Sequence, residues 1–137
     1  MVPYAGAFGR HLHLAQTSNG SKSLYWAAFH EEEDADFLCA ILNSATTIEM
    51  VRPFMSYGKD ERHIDKHIWQ LPIPSYDAAD ATHREIALLG REVADLVHST
   101  SIDTGLHFPA LRRHIRHIVE ESDAGARISE LTYELLS

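Results

Sequence analysis

From residue 31 onward, apolar positions recur three and four apart, the spacing of helices that each bury one face. Glu31, Glu32, Glu33 and Asp34 place carboxylates where a first helical turn favours them, and Phe37, Leu38, Ile41 and Leu42 follow as an apolar face. Asn43 and Ser44 end that helix, and a second runs from Thr46 to Arg52, where Pro53 must disturb it and Gly58 closes the section. After a turn at Asp77 to Asp80, Thr82 and Glu85 have capping-box spacing, and Ile86, Leu89, Val93, Leu96 and Val97 line one side of a long helix. Ser99 to His107 reads as a loop. Pro109 suits the first turn of the next helix, whose stripe is Leu111, Ile115, Ile118 and Val119. Asp123 to Gly125 breaks the chain before a final helix carrying Ile128, Leu131, Leu135 and Leu136. Residues 108–137 therefore form a helical hairpin.

The first thirty residues follow another period. His11, Leu12, His13 and Leu14 alternate, Thr17 to Ser21 read as a turn, and Ser23 to Phe29 is an aromatic-rich strand candidate. Trp69-Gln70-Leu71-Pro72-Ile73-Pro74 must be extended, because prolines two apart fit neither a helix interior nor a central strand, and a sheet edge is the expected location. These signals predict an α+β fold: a small N-terminal β-sheet packed by four or five helices and ending in the C-terminal hairpin. Residues 1–98 would form an α/β part and 108–137 the hairpin, within one domain or fragment of 137 residues.

Hydrophobic residues at 45% and charged residues at 23% fit a globular chain rather than a disordered one. The longest uncharged runs fall well short of the roughly 20 apolar residues of a membrane span, and the N-terminus does not read as a secretory leader. Cys39 is the single cysteine, which excludes an internal disulfide and favours a reducing, cytoplasmic setting. Its apolar neighbours Phe37, Leu38, Ile41 and Leu42 make it an inert thiol rather than a nucleophile. The net charge of -8 argues against strong nucleic-acid binding by the chain as a whole, unless its cations gather on one face.

Two segments concentrate cations. Arg52, Lys59, Arg62 and Lys66 alternate with Ser56, Tyr57, Gly58, His63 and His67, a mixture suited to phosphate contacts, although Asp60, Glu61 and Asp65 offset much of the charge. Arg112, Arg113 and Arg116, with His114 and His117, share the polar face of the penultimate helix, which is also what an ordinary solvated helix face looks like. Ten histidines raise the question of metal. The pairs His63/His67, His114/His117 and His11/His13 have ligand-compatible spacing, but no Cys cluster or His-Glu-x-x-His motif completes a site. No Ser, His and Asp fall into a triad motif. No catalytic residue and no metal ligand is assigned.

Leu24-Tyr25-Trp26-Ala27, then Ala40-Ile41-Leu42-Asn43-Ser44, then Arg62-His63-Ile64 leading to Trp69-Gln70-Leu71-Pro72-Ile73-Pro74, occur in that order. This succession resembles the C-terminal target-recognition (specificity) region of N6-adenine DNA methyltransferases from restriction–modification systems. More loosely, it is similar to the recognition domains of type I specificity subunits. The resemblance covers about residues 24–97. It implies a DNA target-recognition or support module in which Arg52, Ser56, Tyr57, Lys59, Arg62, His63 and Lys66 meet double-stranded DNA. It also implies a partner catalytic domain or subunit that holds S-adenosylmethionine. The Asn/Asp-Pro-Pro-Tyr-type tetrapeptide and the glycine-rich cofactor loop of those enzymes are missing here, so the expectation is a fragment with no cofactor and no catalysis of its own. A competing expectation is a protein-interaction or dimerisation module, whose helical hairpin docks onto another chain, or onto a second copy to form a homo-oligomer, without touching DNA.

Overall fold

The computed structural model describes residues 29–54, 70–103 and 105–137, together with the backbone of four residue pairs nearer the N-terminus. Among the described residues five α-helices follow one another: α1 (Glu32–Leu42), α2 (Ala45–Val51), α3 (Ala81–Ser99), α4 (Phe108–Glu121) and α5 (Asp123–Leu136). A single 3-10 turn, Arg52–Phe54, extends α2 at the point where Pro53 removes a backbone donor.

The expected α+β architecture is not what forms. The described body is all helical. Among the described residues nearer the N-terminus, two antiparallel pairings of two residues occur, Ala7–Phe8 with His11–Leu12 and Ala15–Gln16 with Tyr25–Trp26. The described helices close their core on one another, so that core is completed without a sheet. Strand propensity in a short aromatic run counts only where a neighbouring strand and a buried face reward it.

The core joins Phe37, Ala40 and Ile41 of α1, Ile86 and Ala87 of α3, and Ile128 and Leu131 of α5. Phe37, Ile41 and Ile86 are essentially inaccessible to solvent, so truncating any of them to Ala costs about 2–5 kcal/mol. The Pro72–Pro74 segment is irregular rather than helical, as its prolines require. Among the described residues it borders no sheet; Ile73 and Tyr76 pack against the helical core.

Glycine sets two close approaches. At Gly90, α3 passes so near α1 that a Cβ would lie 2.7 Å from the Asp36 carbonyl oxygen and 3.0 Å from the Ala40 Cβ. At Gly125, a Cβ would collide with the Val119 carbonyl oxygen, with the Val119 carbonyl carbon only 2.8 Å away. The expected break at Asp123 to Gly125 shrinks to one residue, Ser122, which lies between α4 and α5. Its hydroxyl donates to the Val119 carbonyl at 2.6 Å and accepts the Gly125 N–H at 3.0 Å, closing one helix and opening the next.

Other caps follow the same economy. Asn43 and Ser44 separate α1 from α2; the Ser44 Oγ donates to the Ile41 carbonyl and accepts the Thr47 N–H. The Thr46 hydroxyl donates to the Ser129 carbonyl at 2.6 Å and ties α2 to α5. At the start of α3 the expected Thr82/Glu85 box is replaced by Asp80, whose Oδ1 accepts the N–H groups of Thr82 and His83. Glu85 instead accepts from Arg127 Nε at 2.9 Å, linking α3 to α5.

Candidate nucleic-acid interface

Placement of the cations decides what the surface can bind. Arg91 on α3 pairs with Glu32 and with Asp36 (3.1 Å to Oδ2), and Arg127 on α5 pairs with Glu85 and Glu130. Arg84 donates to the Ala78 carbonyl at 2.6 Å. These three are held by the fold. Arg112, Arg113 and Arg116 are different: all are exposed on α4, and among the described residues none makes an ion pair. Three unneutralised guanidinium groups therefore sit within five consecutive positions of a chain whose net charge is -8.

The sequence explains why α4 presents them. Leu111, Ile115, Ile118 and Val119 are half-buried on the side where α4 meets α5 and α3, and no residue of α4 is fully buried. The helix therefore lies on the flank of the body with its polar face in water. Arg112 rests over the Phe108 ring, 5.7 Å from guanidinium carbon to ring centroid, a cation–π approach one helical turn apart. Phe108 is 70% exposed and Leu106, just before the helix, is 39% exposed. His107 and His114 are exposed beside the arginines, and His117 lies 3.4 Å from Glu121 at the helix C-terminal end.

The opposite electrostatic character belongs to the start of α1. Glu31, Glu32, Glu33 and Asp34 line an open cleft with Tyr76 and Ala78. Burial, then Glu31 and Glu33, push the Asp34 carboxyl up. Tyr76 donates its hydroxyl to Glu33 Oε2 at 2.8 Å, and burial with that bond pushes the phenol up to about 12. A phosphate would be repelled there. Burial also raises the Asp36 carboxyl, even though the Arg91 guanidinium opposes the shift. The Cys39 thiol is pushed up by burial and by Asp36, which disfavours its thiolate form.

Of the residues expected to contact DNA, Arg52 is placed: it is exposed at the end of α2, in the 3-10 turn. Ser56, Tyr57, Lys59, Arg62, His63 and Lys66 lie outside the described residues. Among the described residues no three His, Cys, Asp or Glu side chains converge as a metal site, and no helix is long and apolar enough to cross a membrane. The residue that spacing alone passes over is Phe108. Its signal is present in the sequence: an aromatic at the first position of a helix, beside a proline and four residues before an arginine. No protein-family model, no curated protein and no solved structure matches the chain.

Proposed function

We propose that the chain is a DNA-binding support module, without catalysis of its own, that meets the phosphate backbone of a duplex through the polar face of α4. The observation that carries this reading is the contrast among the arginines. Arg84, Arg91 and Arg127 are tied to carbonyl or carboxylate partners, while Arg112, Arg113 and Arg116 are exposed and unpaired among the described residues. Guanidinium groups in this array neutralise successive phosphates, which supplies affinity and register but no base reading. Arg52 and the segment after it would add contacts, following the resemblance to adenine-methyltransferase recognition regions. That resemblance is also the basis for a restriction–modification setting, a separate catalytic partner that binds S-adenosylmethionine, and a cytoplasmic location.

The test is a fluorescence-anisotropy titration of a labelled duplex at low salt, comparing the natural chain with Arg112→Gln/Arg113→Gln/Arg116→Gln. The exposed sites leave the far-UV circular dichroism spectrum unchanged. Affinity falls at least tenfold in the variant. Equal affinity in the two proteins would assign α4 to a solvated scaffold face.

A second reading is favoured by the apolar surface of Phe108 and Leu106 exposed beside the arginines. On that reading α4 docks on an acidic protein. The same titration with an acidic polypeptide such as polyglutamate in place of DNA distinguishes the two.

A further inference from the structure

We propose that Phe108 is a stacking platform for an unpaired base, so that the first turn of α4 binds DNA most tightly where a duplex is locally opened. This deepens the α4 reading and rests on it. The Phe108 ring is 70% exposed in the first turn of α4, so most of it faces water. Its surroundings are specific: Arg112 lies over the ring at 5.7 Å, and Arg113 and Arg116 extend the charge along the same helix. An aromatic face beside unpaired cations complements the two parts of an exposed nucleotide. The base has a π-face that stacks on the ring, and its phosphates meet the guanidinium groups.

A fully paired duplex offers the charge but not the free base face. Leu106, 39% exposed before the helix, adds apolar area at the same end. The acidic cleft at the start of α1 has no comparable aromatic–cation pairing; its Tyr76 hydroxyl is engaged by Glu33. The occupant is therefore a DNA strand with at least one unstacked base, bound through stacking and charge together.

The experiment uses three labelled duplexes of one sequence: fully paired, with a three-nucleotide single-stranded gap, and with that gap made of abasic sugars. The whole chain, Phe108→Ala and Phe108→Trp are titrated against each. The natural chain prefers the base-containing gap over the abasic gap by about tenfold, the scale of one base–aromatic stack. Phe108→Ala abolishes that preference, so that the base-containing and abasic gaps bind alike, and Phe108→Trp retains or increases it. If all duplexes bind with equal affinity, or if Phe108→Ala weakens all three alike, stacking is overturned while the α4 contact stands. If no duplex binds, or polyglutamate competes as well as DNA with the same dependence on Phe108, both readings are overturned.

Discussion

Replacing Gly125 with alanine reverses the effect that helix propensity predicts. Gly125 sits in the first turn of α5, and propensity alone favours alanine over glycine within a helix by about 0.8–1 kcal/mol. The geometry opposes it. An added Cβ would overlap the Val119 carbonyl oxygen, lie 2.8 Å from the Val119 carbonyl carbon and 3.0 Å from Ser122 Oγ. The first two are backbone atoms, so no side-chain rotation relieves the clash, and the α4–α5 junction must open. Opening it weakens the Ser122 bonds to Val119 and Gly125 that close α4 and start α5. Overpacking of this kind costs about 1–3 kcal/mol, and loss of a serine cap about 1 kcal/mol more. Against the propensity gain, the net expectation is a destabilisation of about 2 kcal/mol, or roughly 6–10 °C in Tm for a domain of this size. Urea unfolding followed by far-UV circular dichroism reads it as a lower midpoint at unchanged slope. A midpoint equal to or above that of the natural chain would refute the close-packed junction.

Three further substitutions probe the body. Gly90→Ala brings a Cβ to 2.7 Å from the Asp36 carbonyl oxygen, and should lower stability by about 1–3 kcal/mol in the same unfolding assay. The Thr132 hydroxyl is fully buried with no hydrogen-bond partner, so Thr132→Val should hold or raise stability, by up to about 1 kcal/mol in urea unfolding. The N–H groups of His83 and Thr82 hold the Asp80 carboxyl below its ordinary value. A carboxylate with a depressed folded pKa stabilises above its unfolded pKa, and that contribution disappears as pH falls through the folded value. Asp80→Asn should therefore flatten the loss of stability as pH falls through about 3.8 and below, read as urea midpoints against pH. A parallel curve would remove Asp80 from that role.

The helices were legible because their apolar spacing is set by local geometry. Phe37, Ile41, Ile86, Ile128 and Leu131 stand at the expected positions and form the core. The sheet was not a sound inference. Alternation in His11 to Leu14 and aromatic content in Ser23 to Phe29 are satisfied equally by brief two-residue pairings, and only the tertiary context decides which forms. The cap of α3 was misplaced by two residues because Asp80 and Thr82 both suit an N-cap, and the pairing of Glu85 with Arg127 across helices cannot be seen in one chain segment. The arginines of α4 were visible as a cluster. Their freedom was not, because an unpaired cation is defined by which carboxylates the fold brings near, and that brings Glu32 and Asp36 to Arg91, and Glu85 and Glu130 to Arg127.

The central claim, that α4 neutralises DNA phosphates, is tested most directly by the salt dependence of duplex binding. Each phosphate contact contributes about 0.9 to the slope of log affinity against log salt concentration. Measured from 50 to 200 mM salt, Arg112→Gln/Arg113→Gln/Arg116→Gln should have a slope shallower than the natural chain by about 2.7 on that scale. Equal slopes for the two proteins would contradict the account.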